Sequence, residues 1–266
     1  MANGLIVRPL PMEAVSPSHV AAGFPGANLA NDYAGVIWRS SVIESYLNIL
    51  IDLGSDQRID TAMLFGCQGM PANAVLQVFG ATAAQGSSFA TYSYNSAGEP
   101  FWAGTAMPTS GRGVSLWHDR AARTTPCRYW LLQLTGVAGL QISAARVVIG
   151  AALTLERNFG NGGATGVRDL GSLDYSARGV MLRRRAARLR TLALTFSSIR
   201  KDELEAQVSP LLEYVGNTEL VAIVTDPAVD PQRQNRCWLG PLVGDLSAVR
   251  RNAAAYETKI ALVSNF

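Results

Sequence analysis

At 266 residues the chain has room for two domains of ordinary size, since domains usually run to about 100–200 residues. Hydrophobic residues make up 48% and charged residues 16%; this is enough apolar material for a core beneath a sparsely charged surface, which favours permanent contact with other chains. The net charge of +3 is too mild for a nucleic-acid binder, no run of about 18 apolar residues offers a membrane span, and no secretory pattern follows Met1, so synthesis and residence in the cytoplasm are expected.

The first two-thirds of the chain reads as strands. Residues 47–53 form an apolar run closed by Gly54, Ser55 and Asp56, and residues 59–66 a second closed by Cys67, Gln68 and Gly69, so two neighbouring strands are predicted. Residues 74–80 place Val75, Gln77 and Phe79 on one side and Leu76 and Val78 on the other, as a strand buried on both faces would tolerate. Residues 128–134 and 143–149 look the same. Short strands at this spacing, without a helical period between them, predict a sandwich or barrel. Residues 81–115 are rich in Ala, Gly, Ser and Thr and carry Phe89, Tyr92, Tyr94, Phe101 and Trp102; this suits a long surface connection or an irregular hairpin.

Near Gly150 the character changes. The glycine-rich stretch 158–166 resists regular structure because Gly loses the most backbone freedom on ordering. The expected organisation is a domain over 1–150, a Gly-rich linker over 151–171 and a second domain over 172–266. In the latter, residues 175–184 and 188–196 predict a β-hairpin, with Leu192, Leu194 and Phe196 on one face of its second strand. Residues 201–214 predict a helix from Leu204, Val208, Leu211 and Leu212 at spacings of three and four, with Ser197 or Ser198 capping its start and Gly216 and Asn217 its end. Pro210 would interrupt that helix, or Ser209 and Pro210 would begin a second short one. Strands over 220–225, 235–243 and 255–263 complete a mainly-β chain.

No constellation for chemistry emerges. Cys67, Cys127 and Cys237 are odd in number and unpaired in spacing, so buried free thiols are expected rather than a disulfide frame or a zinc site. His19 and His118 lie near no nucleophile motif, and the glycines at 160–166 lack the strand, helix and Lys-Ser/Thr pair of a phosphate loop. Asp202, Glu203 and Glu205 sit in the first turn of the predicted helix, where acids meet the helix dipole. A non-enzymatic chain with no cofactor and no metal is expected.

The 21 Arg and two Lys point to protein contacts, since guanidinium forks onto carboxylates and tolerates interfaces better than the ammonium group. Residues 1–150 balance eight Arg against eight acids, whereas residues 151–266 hold fifteen basic side chains and twelve acids. Arg183, Arg184, Arg185, Arg188 and Arg190 are the sharpest charge feature. They form either a solvated face or a contact with acids on a neighbouring subunit.

The N-terminal half resembles the discoidin-like, galactose-binding-like jelly-roll family. The likeness lies in Asn28-Leu29-Ala30-Asn31-Asp32 leading to Trp38-Arg39-Ser40, then Ile51-Asp52-Leu53-Gly54 and Ile59-Asp60-Thr61-Ala62, and finally Arg128-Tyr129-Trp130 and Val147-Val148-Ile149-Gly150. It implies a sandwich with a Trp anchor, loops that bind glycans or lipids in some members, and in some a Ca²⁺ near the early Asn/Asp loop. Tyr33, Tyr92, Tyr94, Trp102 and Trp117 are then either sugar-stacking residues or packing and interface residues. The C-terminal half resembles the ring-forming domain of phage distal tail proteins in its order of elements: an Arg-rich hairpin, the strand ending Leu192-Ala193-Leu194-Thr195-Phe196, a helix, and closing strands including Cys237-Trp238-Leu239-Gly240. In distal tail proteins the ring domain comes first, so the order here departs from that pattern. This resemblance implies a virion tail-tip or baseplate subunit, assembled in the host cytoplasm. Its partners would be copies of itself in a hexameric or trimeric ring, the tail tube, tape-measure and hub proteins, and a host glycan; the alternative is a monomeric carbohydrate-binding accessory module.

Overall fold

The computed structural model describes residues 3–121, 123–160, 163–252 and 255–264. The chain divides into two compact units: unit 1 is Met1–Thr154 with Ala222–Cys237, and unit 2 is Leu155–Val221 with Trp238–Phe266. Both are built mainly from β-strands. In chain order the first strands are β1 (Leu5–Val7), β2 (Ala14–Pro17), β3 (Trp38–Arg39), β4 (Leu47–Gln57), β5 (Thr61–Cys67), β6 (Val75–Ala81), β7 (Tyr94–Asn95), β8 (Glu99–Pro100), β9 (Gly113–His118), β10 (Cys127–Thr135), β11 (Ser143–Ala144), β12 (Arg146–Gly150) and β13 (Ala152–Leu153). Then follow β14 (Ala164–Asp169), β15 (Ser172–Tyr175), β16 (Met181–Arg184), β17 (Arg188–Arg200), β18 (Leu220–Val224), β19 (Cys237–Pro241), β20 (Ala248–Arg250) and β21 (Ala255–Ser264).

In unit 1, β2-β4-β10-β6-β7 form one sheet, with β8 also on β6, and β12-β5-β9 form another. Side chains alternate across a strand, and on β4 Leu47, Ile49, Ile51 and Leu53 are buried while the residues between them are half-buried. Trp130, Leu132 and Leu134 of β10 and Leu76 and Val78 of β6 behave likewise. These side chains share one apolar cluster with Leu64 of β5, Trp117 of β9 and Ile149 of β12. The core therefore lies between the two sheets, which is the jelly-roll type of β-sandwich expected. A third group joins Leu5–Val7 of β1 to Ala222–Val224 of β18 on one side and to β13 on the other.

Several local expectations change. The strand over 74–80 buries one face, because Val75, Gln77 and Phe79 are only half-buried. The run at 47–53 does not stop at Gly54: Asp52 Oδ1 accepts a hydrogen bond from Gly54 N (2.7 Å) at φ +76°, and β4 continues through a bulge to Gln57. Residues 143–149 split at Ala145, since β11 pairs with β3 while β12 pairs with β5. The segment 151–171 holds β13 and β14 rather than an unstructured linker; Asn161 and Gly162 of its glycine-rich stretch lie outside the described residues.

Unit 2 is organised on the sheet β14-β17-β21-β20. Leu192, Leu194 and Phe196 on β17 are buried, opposite Leu262, Ile260 and Thr258 on β21. The helix forms as three segments: α1 (Lys201–Glu203), a π turn (Leu204–Val208) and α2 (Ser209–Val215). Pro210 supplies no N–H and its ring would meet the carbonyl four residues earlier in α-winding. The widened turn relieves this, with Ser209 N donating to Leu204 O instead of to the carbonyl at i−4. Ser197 and Ser198 belong to β17, so Arg200 takes the N-cap position, and its backbone N–H donates to Glu203 Oε2 (3.3 Å). Gly216 ends the helix at φ +51°.

Candidate functional surfaces

The early Asn/Asp loop of unit 1 is a latch. Asn28 Nδ2 donates to Ile37 O (2.8 Å), just before the buried Trp38, and Asn31 Oδ1 accepts from Tyr33 N (2.7 Å). Asp32 Oδ1 stands 3.1 Å from Arg146 Nη2 on β12. Arg146 is buried, and burial lowers its pKa from the usual arginine value despite Asp32. The loop carboxylate thus faces a cation of the protein itself, and the contact ties the loop to the sandwich.

The five aromatic residues picked out for glycan stacking separate into two groups. Tyr94 and Trp117 are 6% and 1% exposed and meet edge to face at 5.7 Å, with Trp130 beyond Tyr94 at 6.1 Å. Their faces are taken up by the core, so they are corrected from loop ligands to packing residues. Trp102 is partly buried against Phe101, which is in the core, and its ring lies over Gly113 where any Cβ would collide. Tyr33 (75% exposed) and Tyr92 (48%) do face solvent, the latter edge-on to Phe79.

A cleft of about 540 Å³ in unit 1 is lined by Glu99, Trp117, His118, Asp119, Arg123 and Val229 among others. The Thr61 hydroxyl donates to Asp60 Oδ1 (2.8 Å) and lies 2.9 Å from His118 Nδ1. Burial lowers the His118 pKa from its ordinary value, against the opposing pull of Asp60. Thr61 is fully buried, so this trio fastens β5 to β9 rather than presenting a nucleophile. Burial raises the Asp119 carboxyl, but backbone N–H groups of Arg123 and Ala121 and the Arg123 guanidinium win and hold it below its usual value.

Unit 2 carries a different kind of surface. β14 pairs with β17 and β15 pairs with β16, and between them Gly171 N donates to Asp169 Oδ1 (2.7 Å). The two ladders therefore continue one another as a β-arm folded at Ser176–Val180. Ser176 N donates to Val180 O (2.9 Å) there, and Gly179 adopts φ +76°. The predicted pairing of 175–184 with 188–196 is corrected accordingly: 181–184 pairs back on 172–175, and 188–193 on 164–169. Every residue of β14, β15 and β16 is exposed.

Arg183 and Arg184 lie on β16, Arg185 just beyond it, and Arg188 and Arg190 on β17. The first four are exposed, and Arg188 Nε reaches Asp169 Oδ2 at 3.2 Å. Arg190 is half-buried with its guanidinium 3.9 Å from the centre of the Trp238 ring; it belongs to the body of the unit rather than to the arginine group of the arm. Interleaved with these arginines are Val167, Leu170, Leu173, Tyr175, Val180, Met181 and Leu182, each more than half exposed.

No protein-family model matches the sequence, and comparison with curated proteins gave no match. Solved structures do match. The lectin domain of Lectinolysin complexed with Lewis B antigen is 14% identical, covering 53% of this chain and 93% of its own, with a TM-score of 0.38. A Streptococcus pneumoniae fucose-binding module is 10% identical over 54% of this chain and 95% of its own, at 0.38. Chitosan-binding module 1 from a Paenibacillus sp. IK-5 chitosanase/glucanase is 15% identical over 53% and 98%, also at 0.38.

The apolar side chains of the arm escaped sequence reasoning. Their signal was present as two apolar-rich stretches, 167–175 and 180–182, either side of Ser176-Ala177-Arg178-Gly179. Neither stretch is one-sided, so neither reads as a strand packed on its own domain.

Proposed function

We propose that this chain is a non-enzymatic assembly subunit whose arm joins copies to one another, in a ring of the kind found at a phage tail tip. The observation that carries this reading is the arm. An isolated two-stranded hairpin is marginal in water, and soluble monomers rarely expose large contiguous apolar patches. Seven large apolar side chains on a two-stranded ribbon are accounted for by a neighbour that covers them. The tail-tip assignment is supported by the order of elements in the C-terminal half, from Arg-rich hairpin through strand and helix to the closing strands.

Light scattering across a concentration series tests it. The full-length chain should be a stable oligomer, and replacing 170–186 by a short Gly-Ser turn should leave a monomer with unchanged far-UV dichroism. A full-length chain that is monomeric at all concentrations would overturn the reading. The second reading, glycan binding by unit 1, is favoured by the exposed rings of Tyr33 and Tyr92, because a sugar ring stacks on an open aromatic face. Fucose, Lewis B and chitosan oligomers are the sugars to try, with Tyr33→Ala and Tyr92→Ala as controls.

A further inference from the structure

Assembly through the arm leaves open what it touches. The arm, residues 164–188, carries Arg168, Arg178, Arg183, Arg184, Arg185 and Arg188 against Asp169 and Asp174. The helix, residues 201–215, has the opposite balance, with Asp202, Glu203, Glu205 and Glu213 against Lys201. Its apolar side chains Leu204, Val208 and Val215 are buried, while Asp202, Glu205 and Glu213 are exposed. Asp202, Glu205 and Glu213 thus share the exposed side of the helix, Glu205 at the flank of the buried stripe. Glu203 is excluded from that face, being occupied by the Arg200 and Glu156 backbone N–H groups, while Asp202 and Glu205 stand 4.0 Å from Arg200 and 3.7 Å from Lys201 in exposed pairs that an incoming guanidinium can replace.

We infer that the arm of one copy docks along the acidic outer face of the helix of the next copy. The inference rests on the assembly reading and names its contact. Arg183 and Arg184 project from opposite faces of the ribbon, Arg183 beside Leu173, Tyr175 and Met181, and Arg184 beside Ser172 and Leu182. The apolar-rich side with Arg183 can lie on the helix, and Arg185, two positions on, brings a second guanidinium to that side, while Arg184 faces away. Because arm and helix are different surfaces of one chain, the contact can be exchanged reciprocally in a two-fold pair or repeat head-to-tail, and head-to-tail repetition closes a ring when the rotation allows. Charge complementarity of this sort sets partner and register, and it should weaken with salt as the screening length falls from about 10 Å at 0.1 M to about 3 Å at 1 M.

A charge exchange tests it. One full-length variant carries Arg183→Glu and Arg185→Glu, the other Glu205→Lys and Glu213→Lys, all at exposed positions outside the helix cap. Each alone should be monomeric by light scattering, with melting like the wild type. Mixed one to one, they should assemble, because each reversed arm then meets a reversed helix and each native arm a native helix. A helix variant that assembles normally, or a mixture that stays monomeric, would overturn this contact. If the arm deletion abolished assembly in either case, the assembly reading would stand; a monomeric wild type would remove both.

Discussion

Replacing Trp38 by Ala probes the sandwich of unit 1 at its anchor. Trp38 is 1% exposed, sits on β3 opposite Ala144 of β11, and lines the same buried region as Ile49, Leu64, Phe101 and Leu134. A buried indole removes roughly 200 Å² from water, about 5 kcal/mol at ~25 cal/mol per Å². The unfolded chain already hides some of that area, so the loss on truncation should be about 3–5 kcal/mol. The Trp38 indole N–H finds no hydrogen-bond partner among the described residues, so the loss is one of packing, and Trp38→Phe should retain most of the stability. Four of the five tryptophans, Trp38, Trp102, Trp117 and Trp130, belong to unit 1, and intrinsic fluorescence therefore follows its melting. At about 2–4 °C per kcal/mol for a unit of this size, the midpoint should fall by about 6–20 °C. A fall of less than about 2 °C would show that Trp38 does not hold the two sheets together.

Two further outcomes are expected. A Cβ on Gly240 would stand 2.0 Å from the carbonyl oxygen of Val263, so Gly240→Ala must push the two strands apart and should destabilise unit 2 by about 1–3 kcal/mol; unchanged chemical denaturation would contradict that approach. The Arg128 guanidinium grips Asp52 at 2.7 and 2.9 Å and, with the Gly54 N–H, lowers its carboxyl pKa from the ordinary value. A depressed acid stabilises the fold above its unfolded pKa of about 3.9 and loses that contribution as pH falls through the folded value. The stability difference between wild type and Arg128→Gln should therefore be constant near neutrality and shrink below about pH 4, and a difference that persisted unchanged into strong acid would refute the assignment.

What the sequence revealed depended on whether a signal was local. The apolar run at 47–53 and the alternation of Leu192, Leu194 and Phe196 are each written within one strand, and both segments are strands in the structure. Tyr94 and Trp117 were misplaced because an aromatic residue has the same composition signature in a loop or a core. Their burial follows from contacts between separate strands, Tyr94 meeting both Trp117 and Trp130. The arm was misregistered for a related reason: a ribbon exposed on both faces has no buried side to fix its period, so its pairing follows from the turn at Ser176–Val180. The pairing of β1 with β18 joins residues more than two hundred positions apart and leaves no mark on either segment beyond its apolar character.

That pairing also constrains the order in which the molecule can be made. Chains emerge from the ribosome at about 5–20 residues per second, so β1 emerges ahead of its partner, and Ala222–Val224 follow more than two hundred residues later. One edge of Leu5–Val7 must wait some tens of seconds for its partner, with its N–H and C=O groups open to any competing strand. A fragment cut at Thr154 would keep this defect permanently, since Ala222–Cys237 belong to the same unit. Expression of unit 1 alone accordingly calls for grafting the later segment onto the earlier one.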